Sequence, residues 1–284
     1  MRKTWVICTA FVLLLAACGS EEPTGSVAGS PTTDRPTASS PSDSPADPNG
    51  GEVAYEVWFS DDRGLRVTYR TRAETAAVGA ASMEDLLAGP SDSKLSTAVP
   101  HGTRLLGLAV ANGVATVDLS SEFEEGSGSY AERLRLAQVT FTLTQFPTVD
   151  EVALQIDGEP VDRFGSHGIV IDGPMQRGDF EDVAPAIVVE QPRPGQNVTS
   201  PVTIAGTANV FEATVSIRIL DASGREVARE FTTATCGTGC RGDYEHRVEF
   251  DIASSQPGII EVFEESAEDG SAINVVSVPV MLSP

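Results

Sequence analysis

The chain has 284 residues and a formal net charge of −22, and its first 50 residues contribute only −2, from three Arg or Lys against five Asp or Glu. A body this acidic repels phosphate backbones and anionic lipid surfaces, so neither nucleic acid nor a polybasic membrane contact is expected. The basic residues are 17 Arg and 2 Lys, a bias that we associate with GC-rich genomes and that suggests an actinobacterial source.

Residues 1–17 have the layout of a cleaved export signal. Two basic residues precede a 13-residue, largely apolar run from Trp5 to Ala17, which is too short to span a bilayer. Cys18 follows the small residues that end this run and completes a lipobox, so we predict a bacterial lipoprotein signal peptide with diacylglycerol and a further acyl chain such as palmitate on Cys18. The alternative is an ordinary secretory signal with a chance Cys. Acyl chains, at about 0.8 kcal/mol per methylene, would hold the protein on the extracytoplasmic face of the cell membrane.

Residues 18–52 are predicted to be a disordered tether. From Gly19 to Glu52 the chain has 22 Pro, Ser, Thr or Gly among 34 residues, with Val27 as its one large aliphatic side chain. Such a segment buries too little apolar surface to offset the entropy of ordering it. As a flexible coil it would span about 30 to 35 Å.

Two of the four cysteines remain in the exported body. Cys8 leaves with the signal and Cys18 carries lipid, which leaves Cys236 and Cys240. An oxidising compartment predicts a disulfide between them. The alternative is a metal site, in which His246 is the one soft third ligand nearby. We expect no metal and no cofactor.

Residues 53–165 mix strand and helix periods, which predicts an α+β domain. Strands are expected where apolar residues alternate, over 53–59, 65–69, 106–110, 114–117 and 152–156. Asn112 and Gly113 predict a two-residue hairpin turn. The Ala-rich segment 74–87 predicts a helix stopped by Gly89 and Pro90. The segment 130–146 fits both periods, and its length favours a helix ended by Pro147.

Residues 186–284 show no helical stretch. Seven Val- and Ile-rich strands are expected, over 186–190, 202–208, 214–220, 225–233, 244–251, 258–264 and 273–282. This pattern predicts an immunoglobulin-like β-sandwich. The intervening residues 166–185, part of a Gly- and Pro-containing segment, are interpreted as an ordered tail or a short linker.

Motifs in the first half resemble the GerMN domain across about residues 55–160. They are Leu86–Pro90, Pro100–Thr103, Val117–Ser120 with Phe123, Gln138, Thr142–Pro147 and Ile156–Gly158. The second half, through segments such as Gly206–Ala208, Phe211–Ala213 and Val278–Val280, resembles the immunoglobulin-like domain of bacterial spore germination. The resemblance implies an envelope lipoprotein linked to sporulation, germination or envelope signalling, and it brings no catalytic residue set. From the residues themselves, we expect Asp118 and Ser120 to bond backbone at a strand end.

No constellation in the sequence predicts catalysis. His101 and His167 lie in loops and His246 in a strand, so none pairs with a nucleophile by motif. The segment Gly126–Ser129 lacks nucleophile-elbow spacing, and we expect Ser129 to cap a helix. Further candidates are interpreted as solvated surface or chance matches: the acidic clusters Glu122–Glu125 and Glu264–Asp269, the tripeptide Arg241–Asp243 and the sequon Asn197–Thr199.

These observations predict a membrane-anchored extracytoplasmic binding or scaffolding module at the cell envelope, not an enzyme. The expected partner is an envelope protein or a cell-wall polymer. Two alternatives remain open. One is a wall-modifying enzyme with a site between the domains, and the other is a small-solute-binding lipoprotein, which a large apolar cleft with converging polar groups would favour.

Overall fold

The computed structural model describes residues 51–126 and 128–284. The predicted signal peptide, the lipidation residue Cys18, the tether through residue 50 and Ser127 lie outside the described residues. Within the described ranges, no helix has the length and apolar character needed to cross a membrane.

The first half is a mixed α+β domain, as predicted. Its elements are β1 (Glu52–Asp61), β2 (Gly64–Ala73), α1 (Val78–Ala88), β3 (Leu105–Ala111), β4 (Val114–Leu119), α2 (Ser129–Leu143), β5 (Glu151–Ile156) and β6 (Glu159–Pro160). Strands β1 and β2 form an antiparallel ribbon, and a second sheet has the order β3-β4-β5-β6 with β4 and β5 parallel. Asn112 and Gly113 both have positive φ, 52° and 83°, in the β3–β4 hairpin turn, as that dipeptide predicts.

The ambiguous segment 130–146 forms helix α2. Its residues 134–143 are all buried, so the helix runs through the middle of the first core and shows little amphipathic period. The expectation that Ser129 caps this helix is wrong. Gly128 occupies the N-cap position with φ 124°, a backbone conformation that favours glycine, and Ser129 is the first helical residue.

The segment after β6 is an ordered tail on the first core. It contains β7 (Arg163–Phe164), β8 (Ile169–Val170) and a 3₁₀ turn (Arg177–Phe180). Phe164, Met175, Phe180 and Val183 are buried in the core that also contains Trp58. Apolar contact thus continues to the end of the tail, and of the two interpretations of residues 166–185 the structure favours the ordered tail.

The second half is an immunoglobulin-like sandwich. Its strands are β9 (Ile187–Gln191), β10 (Asn197–Thr199), β11 (Val202–Ala208), β12 (Thr214–Leu220), β13 (Glu226–Thr233), β14 (Gly242–Val248), β15 (Gln256–Glu265) and β16 (Ala272–Ser283). One sheet has the order β10-β16-β15-β12-β13 and the other β14-β11-β9. All seven predicted strands form. The short β10 and a 3₁₀ turn at Phe211–Ala213 are additional.

The two halves share a closely packed junction. Val188 of β9 belongs to the first core, whereas Tyr69 of β2 packs against the second. Across the junction, Nε of Arg241 in the sandwich donates to the Glu181 carboxylate of the tail at 2.6 Å, and its Nη2 donates to the Pro185 carbonyl at 2.7 Å. The described residues from 51 onward accordingly belong to one compact unit.

Candidate functional site at the junction of the two halves

Two clefts open along this junction, with volumes of about 450 Å³ and about 590 Å³. Both have walls from the first half and from the sandwich. Tyr69 and Val275 line the smaller cleft, and Phe146 and Arg193 line the larger one. Glu56 and Val189 line both clefts, and Glu56 is the charged residue of the two.

Glu56 is buried because β1 is covered on both of its faces. All residues from Tyr55 to Ser60 are buried, although the apolar alternation along β1 predicts that Glu56 faces solvent. The sandwich lies over that second face. Trp58, which shares the face with Glu56, is the one sequence signal that this side of the strand is not exposed.

The Glu56 carboxylate has few partners for a buried group. Its Oε2 accepts the Trp58 indole N–H at 3.0 Å and lies 3.7 Å from Nη2 of Arg177. Burial raises the pKa of Glu56 above its ordinary range, and the Arg177 charge and the Trp58 hydrogen bond offset this only in part. The site therefore contains a carboxyl group that releases its proton reluctantly.

Arg177 supplies a fixed positive charge beside Glu56. Its guanidinium lies over the rings of Phe141 and Trp58, with centroids at 4.9 Å and 5.6 Å. It also donates to the Thr144 hydroxyl at 2.9 Å and to the Phe141 carbonyl at 3.2 Å. Burial lowers the pKa of Arg177, but a guanidinium stays charged in proteins. Sequence reasoning missed both Glu56 and Arg177.

The three histidines lie away from these clefts. His101 is exposed in the loop before β3, and His246 is half-buried in β14. No histidine is among the described residues that line either cleft. A carboxyl group alone can donate a proton, but hydrolysis by a nucleophile needs a base beside it, and the clefts show no such pair.

His167 belongs to a buried carboxylate cluster on α2. The Glu132 side chain is fully buried and accepts from the backbone N–H and the hydroxyl of Ser166, both at 2.9 Å, while Nδ1 of His167 lies 3.1 Å from the same oxygen. The Ser166 hydroxyl also approaches Nδ1, at 3.2 Å. A hydrolytic triad needs the serine on the opposite ring nitrogen, so this cluster fixes the turn after β7. Sequence reasoning missed Glu132.

Carboxylates of the acidic clusters form hydrogen bonds or ion pairs with other residues of the protein. Glu264 accepts the Phe211 N–H at 3.0 Å and the Asn274 amide at 2.8 Å. Asp269 accepts the Ser271 N–H at 3.0 Å, and Glu122 lies 3.8 Å from Arg104. Among the described residues, no group of three or more His, Cys, Asp or Glu is placed to hold a metal ion.

The predicted disulfide is present in the structure. Cys236 and Cys240 are bonded, with their Cα atoms 5.7 Å apart. Because each sulfur is bonded to the other, the pair offers no thiolate to the alternative metal site with His246.

The tripeptide Arg241–Asp243 does not present its arginine to solvent. The Arg241 side chain is mostly buried, with Nε donating to Glu181 at 2.6 Å and Nη2 to the Pro185 carbonyl at 2.7 Å. Arg241 thus ties the tail of the first half to the sandwich. The sequon Asn197–Thr199 forms β10.

Residues that carry the GerMN resemblance seal the free edge of β1. Gln145 accepts the Glu56 N–H and donates to the Glu56 carbonyl, both at 2.6 Å. Thr142 accepts the Trp58 N–H at 3.2 Å, and Gln138 donates to the Trp58 carbonyl at 2.9 Å. Side chains of α2 therefore replace a neighbouring strand.

The expected roles of Asp118 and Ser120 are confirmed. Asp118 accepts the Gly158 N–H at 2.9 Å, and the Ser120 hydroxyl accepts the Arg104 N–H at 2.9 Å. Both side chains fix backbone at the end of β4, so these motif residues have structural roles.

Two family models match successive parts of the chain. Residues 54–162 match the family described as sporulation and spore germination, and residues 186–271 match the immunoglobulin-like domain of bacterial spore germination. The two halves of the chain are thus similar, in this order, to a sporulation and spore germination domain and to the immunoglobulin-like domain of bacterial spore germination. Both predicted resemblances are thus confirmed. These are sporulation and germination domains not known as enzymes, and they support an envelope-associated role.

Solved structures with similarity to the chain include domains of the sporulation protein GerM from Bacillus subtilis. Its first GerMN domain is 26% identical, with 45% of this chain and 99% of that chain covered, at a TM-score of 0.39. Its tandem GerMN domains are 18% identical, with 70% of this chain and 62% of that chain covered, at a TM-score of 0.42. No curated protein is significantly similar to the chain in sequence.

Proposed function

We propose that this chain is a membrane-anchored extracytoplasmic lipoprotein that binds an envelope protein or a cell-wall polymer in the clefts between its two halves. The observation that carries the proposal is that the buried Glu56 lines both clefts, with its carboxylate 3.7 Å from Arg177 of the larger cleft. The lipobox at Cys18 supports the anchor, and the two germination domains support the envelope setting. The binding role is scaffolding, since the clefts offer no nucleophile with a base.

The smaller cleft has the chemistry of a recognition site. Its walls include the apolar side chains of Val67 and Val188 together with the polar Arg66 and Asn274. A cleft that combines apolar side chains with fixed polar groups can bind a partner with specificity. The junction hydrogen bonds hold both walls in place, so little ordering entropy is lost when a partner binds.

The anchor is tested by substitution of Cys18. We expect Cys18→Ala to lose labelling by a fatty-acid analogue and to appear in the medium or as an uncleaved precursor. Cys8→Ala removes a cysteine inside the signal and serves as the matched control, which should stay labelled and membrane-bound. A Cys18→Ala product that still carries fatty acid would contradict the anchor.

The binding role is tested with a photo-cross-linking amino acid in intact cells. Val275 lines the smaller cleft and is 42% exposed, whereas the control position Val170 lies outside both clefts and is 63% exposed. We expect a discrete adduct from position 275 and none from position 170. Filling the cleft with Ser277→Trp should abolish the adduct, and Val170→Trp should not. Equal labelling at both positions, or an adduct that survives Ser277→Trp, would contradict the proposal.

A second candidate function is capture of a small solute. The volume of about 450 Å³ lies within the range of small-molecule sites, and apolar walls converge there on Glu56 and Arg66. Mass spectrometry of the purified protein distinguishes the two candidates. A single low-mass compound that is lost in Ser277→Trp would favour solute capture, whereas a macromolecular adduct without such a compound would favour scaffolding.

A further inference from the structure

The outer edge of β3 is an open and uncharged strand edge. Leu105–Ala111 has the sequence Leu-Leu-Gly-Leu-Ala-Val-Ala and, within the described residues, pairs only with β4. Leu106 and Val110 are each 48% exposed. Proteins usually protect strand edges with charges, proline or a covering segment, because a bare edge recruits another strand. The sandwich edge strand β13 follows this rule, with Glu226, Arg229 and Glu230.

The free backbone groups of β3 have a defined direction. The residues that flank a two-residue hairpin loop, here Ala111 and Val114, exchange hydrogen bonds with each other, and the pattern then alternates back along the pair to Gly107, beyond which the register shifts by one residue at Leu106. The N–H and C=O groups of Leu108 and Val110 therefore point away from β4. These groups can accept a new strand in antiparallel register.

We propose that β3 pairs with β3 of a second copy of this chain, antiparallel about a two-fold axis through Leu108. This register places Leu106 of each copy opposite Val110 of the other, so that each exposed side chain covers its counterpart. A two-fold interface requires one surface that complements itself, and the apolar sequence about Leu108 meets that requirement. The interface shares no residue with the smaller junction cleft.

Charge complementarity favours a second copy over an unrelated strand. Arg104 precedes β3 and its side chain is 69% exposed. At the other end, exposed Asp150 lies beside the turn glycine Gly113, to whose carbonyl its backbone N–H donates at 2.7 Å. Pairing centred on Leu108 brings Arg104 of one copy to the Asp150 end of the other, twice per dimer. Two copies of this strongly acidic protein would thus be in contact through an uncharged strand, with an Arg–Asp pair of opposite charges at each end of the interface.

Cysteine cross-linking of the full chain in membranes tests this register. Directly opposed residues of two antiparallel strands have Cα atoms about 4.5 to 5.5 Å apart, which a disulfide can span. We expect the double variant Leu106→Cys with Val110→Cys to give a reducible dimer on mild oxidation. Each single variant lacks its opposite cysteine and should give at least fivefold less dimer. The wild-type chain, treated in the same way, gives the amount of dimer that the native cysteines form by themselves.

Co-expression of the two single variants should restore the dimer. The proposal is overturned if the double variant gives no dimer, or if each single variant gives as much as the double.

Charge reversal gives a second test on exposed residues. In the double-cysteine background, we expect Arg104→Glu to lower the cross-linked fraction at least threefold. Adding Asp150→Arg should return it to within twofold of the starting value. Equal cross-linking in all three chains would overturn the pairing centred on Leu108. Failure of the cleft cross-linking would leave this result unchanged, since that experiment probes the smaller cleft, which is lined by neither β3 nor Arg104 nor Asp150.

Discussion

Two buried glutamates show how local donors decide the state of a carboxyl group. Burial alone would raise the pKa of both Glu56 and Glu132. For Glu132, hydrogen bonds from His167 and Ser166 outweigh burial and the pKa falls. Glu56 has one hydrogen-bond donor and a more distant Arg177, and its pKa rises. Glu132 is therefore a structural anion, whereas Glu56 is a carboxyl group at the junction clefts whose charged form is disfavoured by burial.

The pKa of Glu56 predicts a pH-dependent effect of Glu56→Gln. An acid whose pKa is raised by folding stabilises the fold below its unfolded pKa, near 4.3, and this contribution is lost as pH rises. The free energy of unfolding of Glu56→Gln relative to wild type should therefore increase from pH 4 to pH 7, by more than the ~0.5 kcal/mol of ordinary surface changes. Urea unfolding measures it, with exposed Glu159→Gln as the control. A difference that stays flat with pH would contradict this assignment.

Glu132→Gln should destabilise the protein through unpaired donors. An amide cannot accept all the hydrogen bonds that Ser166 and His167 donate, so we expect a loss of about 2 kcal/mol at pH 7. The pKa of Glu132 is lowered by folding, so its contribution is present above about pH 4.3 and disappears as pH falls further. Urea unfolding should show a smaller difference in the free energy of unfolding between wild type and Glu132→Gln at pH 3.5 than at pH 7. His167→Ala, which removes a ring that is 47% exposed, should cost less than half as much.

At the scale of elements, one edge of β1 depends on side chains from α2 and the turn after it. The other edge pairs with β2, whereas Gln138 and Thr142 of α2 and Gln145 of the following turn bond to Glu56 and Trp58. This explains why polar residues are retained in a helix that is buried almost all round. Because each side chain bonds to a particular backbone group of β1, these residues set the position of α2 along the strand and also hold the helix next to it.

Loss of the Gln138 amide should expose this dependence. Gln138→Leu leaves the Trp58 carbonyl and the Ala98 N–H without their partner, at a cost of about 3 kcal/mol in the free energy of unfolding. Gln155→Leu, at a half-buried position on β5, is the control and should change stability by less than 1 kcal/mol. Hydrogen exchange should accelerate in β1 of the first variant. Unchanged exchange in β1 would show that the strand does not need the helix.

Much of the fold follows from the sequence, but the candidate site does not. Sandwich strands such as β11 alternate cleanly because one face is buried. Helix α2 is ambiguous because burial on nearly all sides removes its period. Glu56 reads as a solvent-facing residue in β1, since local alternation carries no information about a domain that folds over the strand from more than 100 residues away. The sequence likewise gives no sign that Arg177 is part of the site, because it lies in a segment rich in turn residues.

At the scale of the whole molecule, the junction is a rigid part of the architecture. Apolar side chains from each half enter the core of the other, and Arg241 of the sandwich holds Glu181 and the Pro185 carbonyl of the tail. The clefts are therefore shaped by two cores at once. Their geometry depends on how firmly the halves are held.

Arg241→Ala should loosen this junction without unfolding either half. We expect limited proteolysis within residues 181–186 to become at least fivefold faster, because that segment loses both of its contacts with the guanidinium. Arg247→Ala removes an exposed arginine from β14, the strand that begins directly after Arg241, and is the control, with cleavage close to wild type. Equal cleavage in the two variants would mean that apolar contacts alone hold the halves together.

The sealed edge of β1 also bears on the behaviour of the protein at high concentration. Residues 53–59 are rich in Val and aromatic side chains, a composition prone to cross-β assembly when a strand edge is free. In the native protein, two side-chain amides and one hydroxyl from α2 and the turn after it are hydrogen-bonded to this edge. Fibril growth from this segment therefore requires the helix to detach first. Resistance to amyloid formation should then follow the local opening of α2 rather than global unfolding.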